Sequence, residues 1–298
     1  MRLSNCELPG GFVDISGQVH KRVKLRGLTG KEEEMLLSDP LASNAEKISA
    51  LISQCVQSIG SIDRVTEDIA RECLAADRQY LAMKLRQITF GDTIDFSVSC
   101  PWQDCGERVD ISFSLSQVDI EDANLNRLLH EWKMAEDETS RLIRFRLPNG
   151  SDQEALNSLA FQDEEQALTT LLWRCIQSID GLDQFTLEDI ASLPDSGKNE
   201  LQKYMHSLAP DMEINIRAKC AECDREFDLP FDIQDFFLRE LNINHEVLMR
   251  EVHYLAFYYH WSEQEILNMT RQKRRQYIQT LSEEIERMNE SVNRYVAA

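Results

Sequence analysis

The stretches CPWQDCG at residues 100–106 and CAEC at residues 220–223 determine how this chain is organised. Alternating apolar and polar residues typical of β-strands flank both, including Ile94–Val98 before the first stretch and Phe227–Leu229 after the second. A strand, a short loop with two thiols and a returning strand form a knuckle, which provides half of a four-thiolate zinc site. Because structural zinc prefers four ligands in a tetrahedron, the sequence predicts one structural Zn²⁺ shared by both knuckles. The predicted ligands are Cys100, Cys105, Cys220 and Cys223.

The alternative interpretation of these cysteines is a set of four reduced thiols at the tips of two hairpins. A cysteine pair at the same place in both halves of the chain favours the metal. The remaining cysteines follow no ligand spacing and are interpreted as small buried apolar residues: Cys6, Cys55, Cys73 and Cys175. Since the N-terminus has no signal-peptide pattern, we expect the cytoplasm of the producing cell, where thiols stay reduced.

A period of 120 residues separates the two knuckles and recurs elsewhere in the chain. Residues 55–63 (CVQSIGSID) align with residues 175–183 (CIQSIDGLD) at this offset, and Gly30 aligns with Gly150. We therefore predict an α+β fold with two copies of a helical unit, each ending in a zinc-knuckle β-hairpin, followed by a helical C-terminal extension. The predicted segments are an N-terminal hairpin (1–21), unit one (22–118), a linker helix (119–141), unit two (142–236) and an extension without counterpart in the units (237–298).

Helical spacing of apolar residues predicts the main helices of each unit. In unit one a helix is expected over residues 44–59, and in unit two helices are expected around residues 163–179 and 186–208. The linker helix is expected to include Leu125–Trp132.

Composition and motifs limit the possible functions. The formal net charge of −20 argues against a nucleic-acid-binding face, which needs clustered cations, and favours other proteins as partners. No apolar run approaches the roughly 20 residues that span a bilayer, so no membrane association is expected. We find no glycine-rich phosphate loop and no nucleophile elbow, and the spacing of His245 and His253 does not fit a metalloprotease motif. The chain is therefore predicted not to be an enzyme.

The helical extension carries the predicted partner-binding residues. Aromatic residues crowd the helix His245–Tyr259, and the last helix has apolar residues at steps of three and four, a pattern typical of a helix docked on a partner or in a short coiled coil. The basic run at residues 271–275 is expected to bind an acidic partner surface. The predicted set is Tyr254, Phe257, Tyr258, Trp261, Arg271, Arg274, Arg275, Tyr277, Ile278, Leu281, Ile285 and Met288. The same pattern would also permit a homo-oligomer.

Three stretches carry a resemblance to a known family: LRGLTGKEEE at residues 25–34, the first knuckle, and residues 250–263 of the extension. Together they resemble the baseplate hub and tail-assembly proteins of T-even-type contractile phages, and related proteins of contractile injection systems. The resemblance implies a non-enzymatic structural role among other baseplate, hub and tail proteins, and incorporation into the tail or injection particle. Two alternatives stay open: a transient assembly chaperone absent from the mature particle, and a zinc-ribbon nucleic-acid-binding protein.

Overall fold

The computed structural model describes residues 3–39, 41–123, 128–136, 139–156, 163–243 and 245–296. The strands are β1 (Leu3–Val13), β2 (Val19–Arg26), β3 (Val56–Ile59), β4 (Thr93–Ser99), β5 (Arg108–Ser114), β6 (His130–Glu136), β7 (Thr139–Phe145), β8 (Ile176–Ile179), β9 (Ile214–Lys219) and β10 (Glu226–Phe231). The helices are α1 (Gly30–Ser38), α2 (Asn44–Cys55), α3 (Glu67–Glu72), α4 (Ala75–Phe90), α5 (Gly150–Leu156), α6 (Glu164–Cys175), α7 (Leu187–Ala191), α8 (Asp195–Leu208), α9 (Ile233–Ile243), α10 (His245–Tyr259), α11 (Glu263–Leu267) and α12 (Arg271–Val296), with a 3₁₀ turn at Leu115–Gln117.

The fold is mixed α/β, with small antiparallel sheets. Two sheets have three strands each, in the orders β1-β2-β3 and β6-β7-β8, and the pairs β4–β5 and β9–β10 form separate hairpins. Val23 pairs with Ile59 in the first sheet, and Ile143 pairs with Ile179 in the second, so the two registers differ by 120 residues. Both pairings also contain a register shift at the corresponding position.

The predicted helix over residues 44–59 is too long, because α2 ends at Cys55 and Val56–Ile59 forms strand β3 on the edge of the first sheet. The predicted helix at 163–179 is wrong in the same way, since Ile176–Ile179 is strand β8. Apolar spacing continues through both junctions, but pairing with the neighbouring strand selects the extended conformation for these β-branched segments.

The predicted linker helix is also wrong over its described part. Residues 130–136 form strand β6, in which Trp132 pairs with Ile143, and the buried Met134 follows Trp132 at the two-residue period of a strand. Residues 124–127 of this segment lie outside the described residues. The predicted boundaries after residues 21, 141 and 236 fall within β2, β7 and α9, so they do not separate independent elements.

The largest core combines both halves of the chain. It contains Leu51 and Leu81 from α2 and α4, and also Phe237 from α9, all fully buried. Phe237 meets Phe90 of α4 edge-on, with ring centroids 6.0 Å apart. The helix that follows the second knuckle therefore completes the core of the first half, with burial of large apolar side chains as the main stabilising term.

Two of the smaller cores lie under the second three-stranded sheet and in the C-terminal region. The second three-stranded sheet packs on α6 and α8 around Phe145, Leu172 and Leu201. In the C-terminal region, Leu255 of α10 packs with Ile266 of α11, and α12 covers them. Among the described residues, none of the helices combines the length and apolar character that crossing a bilayer requires.

Candidate metal centre and partner surfaces

The two cysteine pairs lie at the tips of the hairpins β4–β5 and β9–β10. The backbone closes each loop in the same manner: Cys100 N–H donates to the Glu107 carbonyl (2.7 Å), and Cys220 N–H donates to the Arg225 carbonyl (3.0 Å). In each loop the residue that follows the second cysteine has a left-handed conformation, with φ of 67° at Gly106 and 60° at the corresponding Asp224. The two loops thus form knuckles of the predicted kind.

The hairpins bring all four predicted ligands together. Cys100 Sγ lies 3.7 Å from Cys223 Sγ, and Cys105 Sγ lies 3.7 Å from Cys220 Sγ. All four sulfur atoms lie within 4.8 Å of one another, and none is in a disulfide. A tetrahedral zinc with bonds of about 2.3 Å to sulfur requires sulfur–sulfur separations of about 3.8 Å. The cluster therefore fits one tetrahedral metal ion with thiolate ligands.

Backbone amides direct partial positive charge at the sulfur atoms. The N–H groups of Cys223 and Glu222 donate to Cys220 and lower the pKa of its thiol to about 7. For Cys105, the N–H of Glu107 favours the thiolate, but burial and contacts with the other three thiols raise its pKa to about 12. Without a cation the cluster thus disfavours several negative charges at once, whereas a bound metal ion would deprotonate its thiol ligands.

The surroundings of the cluster hold the hairpins together. Val109 and Ile111 of β5 and Ala218 of β9 form a small apolar core beneath the cysteines. Across the knuckles Arg225 forms a bidentate ion pair with Asp104, with N–O distances of 2.8 and 2.9 Å. Sequence reasoning missed this pair, although Asp104 within the first cysteine stretch and Arg225, two residues after the second, were a signal that could have suggested it.

The Arg225 guanidinium also lies over the ring of Trp102, 5.3 Å from its centroid. One side chain from the second knuckle therefore contacts two side chains of the first. Because the Arg225–Asp104 pair is solvent-exposed, its contribution lies more in orientation than in stability.

Comparison with known proteins places this arrangement in a family. A family model described as T4 bacteriophage base plate protein matches residues 13–238, a range that contains the second three-stranded sheet, both hairpins and the four clustered cysteines. The chain belongs to this family. The predicted resemblance to T-even-type baseplate proteins is thereby confirmed. A second model, described only as a family of unknown function, matches residues 241–296, which hold α10–α12. Searches of curated proteins and of solved structures found no match.

In this baseplate-family protein, α10 exposes part of the predicted partner-binding set. The side chains of Tyr254, Phe257 and Tyr258 are 50%, 64% and 44% exposed and lie on one face of the helix. Phe257 meets Tyr258 edge-on at 5.1 Å and stacks on His253 at 6.2 Å. We call Tyr254, Phe257 and Tyr258 the aromatic patch.

The other apolar members of the predicted set lie nearer the junction of α10 and α12. Trp261 stacks on Tyr259 at 4.7 Å and meets Tyr277 edge-on at 4.8 Å, so it supports the fold of the extension. Farther along α12, Ile278, Leu281 and Ile285 are partly buried and Met288 is 56% exposed. The baseplate-family protein therefore presents a graded apolar stripe along α12.

Two arginines of the basic run that is predicted to bind a partner, Arg271 and Arg274, are buried within the chain itself. Arg274 pairs with Glu33 of α1 and Glu251 of α10, each at 2.8 Å. Arg271 lies over the ring of Phe90, 4.7 Å from its centroid. The run thus fastens α12 to the rest of the protein, and of the three predicted arginines Arg275 is the exposed one.

Proposed function

We propose that this protein is a structural, non-enzymatic component of the baseplate or hub of a contractile phage tail or contractile injection system. It is made in the cytoplasm, joins the tail particle and scaffolds neighbouring tail proteins there. The family match over residues 13–238 is the observation that carries this proposal. The net charge of −20 supports protein partners over nucleic acid.

Zinc is the metal that the cysteine cluster supports best. Four thiolates at tetrahedral spacing are typical of structural zinc sites, and four protein ligands leave no coordination position for a substrate. Two ligands come from each hairpin, so one ion would join the two halves of the chain. In this interpretation zinc fixes the relative orientation of the two units, and partner surfaces on both move as one body.

The two halves are, in this proposal, copies of one unit, residues 22–118 and 142–236. A shared polar contact supports the duplication. Arg26 pairs with Glu32 at 2.7 Å, and Arg146 pairs with Asp152 at 2.6 Å. Each arginine also contacts the buried cysteine at the end of the second helix after it, with N–S distances of 3.8 Å in the first half and 3.9 Å in the second. Strands β1 and β6 then occupy the same edge in their sheets.

The aromatic patch and the stripe on α12 are the proposed contact surfaces for neighbouring tail proteins. Aromatic side chains supply large contact areas at little cost in conformational entropy and are enriched at binding hot spots. Three of them exposed together on one face of a helix suit a protein interface.

Quantification in assembled particles tests the proposal. Tail or injection particles are purified, and this protein is measured against the tail-tube subunit by mass spectrometry. A fixed ratio of copies per particle is the expected result. Presence in the lysate together with absence from the particle would overturn the structural role in favour of an assembly chaperone. Salt-sensitive DNA binding by the purified protein would instead favour the zinc-ribbon alternative.

A further inference from the structure

A backbone bridge joins the first half of the chain to the second at the start of a helix. Leu74, between α3 and α4, pairs with Asn149, the residue before α5. Gly150 N–H donates to the Cys73 carbonyl (3.1 Å), and Ala75 N–H donates to the carbonyl that precedes Asn149 (3.0 Å). The helix start Asn149–Gly150 is thus held by main-chain contacts on both of its sides.

A buried arginine lies four residues beyond this bridge and meets the same helix start. Arg78 donates from Nε to Gln153 Oε1 (2.7 Å) and from its terminal nitrogens to Ser49 Oγ (2.9 Å) and to the Ala70 carbonyl (2.8 Å). A Cβ atom at Gly150 would lie 2.4 Å from the Arg78 guanidinium. Only glycine therefore fits this position while Arg78 is in place.

The C-terminal region repeats this arrangement at the start of helix α1, at Thr29–Gly30. Thr270, between α11 and α12, pairs with Thr29, and Gly30 N–H donates to the Met269 carbonyl (3.3 Å). Four residues later comes the buried Arg274, which pairs with Glu33 of α1 at 2.8 Å. A Cβ atom at Gly30 would lie 3.1 Å from Arg274 Nη1 and 2.8 Å from a side-chain carbon of Leu267.

Both arrangements come from one sequence element, which we call the docking module. It begins with a Ser or Thr that caps a short helix. Eight residues later comes the bridge position, which is the residue that forms the backbone bridge in the two cases above (Leu74 and Thr270). The module ends at a buried basic residue four positions after the bridge position. The docking modules are Thr66–Arg78, Thr186–Lys198 and Ser262–Arg274. In all three, the capping hydroxyl accepts a backbone hydrogen bond three residues on. The basic residue donates its own N–H to the bridge-position carbonyl, at 2.9–3.0 Å.

Within the described ranges, no glycine-initiated helix start pairs with the second docking module, although the first turn of α6 lies beside it. Its bridge position, Pro194, takes part in no strand bridge there and is exposed, whereas Leu74 and Thr270 are half-buried beneath their partners. Its basic residue, Lys198, pairs with Asp195 at 2.9 Å and lies 3.9 Å from Glu165. Both carboxylates belong to the same half of the chain as Lys198. A groove of about 600 Å³ runs between α6 and α8 beside these residues.

We propose that the module Thr186–Lys198 binds a glycine-initiated helix start of another protein. The partner helix would have a glycine at its first position. It would also have Glu or Gln three positions after that glycine. Glu33 and Gln153 hold this position in the two internal cases, where each meets the module's arginine. A partner carboxylate there would replace Asp195 or Glu165 as the ion-pair partner of Lys198, which is 3% exposed in the free protein. Because the two glycine-initiated helix starts of the modules described above, at Gly30 and Gly150, are already engaged within the chain, the proposed donor is a different polypeptide.

A peptide in trans tests this inference on the intact protein. The probe is a labelled, end-blocked peptide of residues 143–156, which contains the helix start Asn149–Gly150, and binding is followed by fluorescence anisotropy. We expect saturable binding at one site per chain. The matched peptide with Gly150→Val should lose binding, because a side chain at this glycine collides with the module's basic residue.

Two protein variants locate the site. Asp195→Pro removes a backbone N–H that corresponds to the N–H of Ala75 in the first module. Asp195 is the first residue of α8, a position where proline is tolerated. Loss of this hydrogen-bond donor should weaken peptide binding by about tenfold. Lys198→Glu should abolish it, whereas Lys203→Glu, exposed elsewhere on α8, should leave it unchanged. No binding at millimolar peptide, or equal binding of the Gly150→Val peptide, would overturn the inference. Self-association of the protein that Asp195→Pro abolishes would identify a second copy as the occupant, against the proposal. None of these outcomes depends on the baseplate assignment.

Discussion

Cys100 Sγ and Cys223 Sγ lie 3.7 Å apart, although 123 positions of the chain separate the two residues. Cys105 Sγ lies at the same distance from Cys220 Sγ, so each hairpin contributes one sulfur atom to each pair. Loss of either hairpin would leave two ligands, which is too few for a structural zinc site.

Removal of two ligands is the first test of this centre. Cys220→Ser together with Cys223→Ser should reduce bound zinc from one equivalent per chain to none, measured by elemental analysis. The melting temperature should fall by roughly 5–10 °C, because the metal stabilises only the folded chain. Cys6→Ser changes a half-buried cysteine away from the cluster and should retain the metal. A double variant that keeps zinc and the wild-type melting temperature would refute the shared site.

The left-handed residue after the second knuckle gives a prediction about backbone strain. Asp224 has φ of 60°, and a β-branched side chain at such an angle costs roughly 1–2 kcal/mol. Asp224→Val should therefore lower the free energy of unfolding by about this amount in urea titrations. Asp228→Val, on the extended strand β10, is the matched control and should have a much smaller effect. Equal losses in both variants would argue against strain at this position.

Arg274 gives a prediction about buried charge. Arg274→Met would leave Glu33 and Glu251 buried without their common partner, which typically costs about 3–5 kcal/mol. We expect a correspondingly lower urea midpoint and detachment of α12, visible as faster hydrogen exchange in Arg271–Val296. The exposed Arg275→Met should change stability by less than about 0.5 kcal/mol. A wild-type midpoint for Arg274→Met would show that this ion pair does not fasten the helix.

The buried carboxyl of Asp77 predicts a pH dependence. Burial raises the pKa of Asp77 to about 6, although the N–H groups of Gly10 and Gly11 donate to it at 2.8 and 2.9 Å. The folded chain therefore binds this proton more tightly than the unfolded chain. As the pH rises from about 4 to 6, this group should lower stability by about 2 kcal/mol.

The variant Asp77→Asn isolates this group from all other titrating residues. Its free energy of unfolding relative to wild type should rise by about 2 kcal/mol between pH 4 and pH 7. Urea titrations of both proteins across this range provide the measurement. A difference that does not change with pH would contradict the assignment.

The aromatic patch predicts a variant that is defective in assembly and not in folding. Phe257→Ser together with Tyr254→Ser removes exposed rings, so the melting temperature should stay within about 2 °C of wild type. Copies per purified particle should fall at least about tenfold, as expected when hot-spot aromatics are truncated. Met249→Ser removes a less exposed apolar side chain from another part of α10 and should assemble normally. Normal incorporation of the double variant would exclude the patch as a contact surface.

The ligand set could be predicted from the sequence because each knuckle is a local structure. Two thiols in a short loop between strand-like segments define it, and the second pair completes the tetrahedron. The family resemblance could likewise be recognised from short stretches around Gly30 and the first knuckle.

The errors share a different cause, which is contact between residues far apart in the chain. Val56–Ile59 continues a helical apolar pattern, and only its pairing with β2 makes it a strand. Arg274 belongs to a basic run that looked suited to a partner, but its carboxylate Glu33 lies 241 positions earlier. The docking modules were missed because a capped short helix is common, and its relation to a glycine elsewhere is visible only in space.

The placement of α9 sets the order in which the protein can mature during translation. Phe237 fills the core of the first half, yet it is synthesised after both knuckles. A nascent chain that has only just released the second knuckle from the ribosome therefore still exposes the apolar site that α9 will cover. Such non-local closure is slow and leaves the intermediate prone to aggregation. A stop codon placed before Ile233 would accordingly yield an insoluble product, even though it retains both sheets and all four metal ligands.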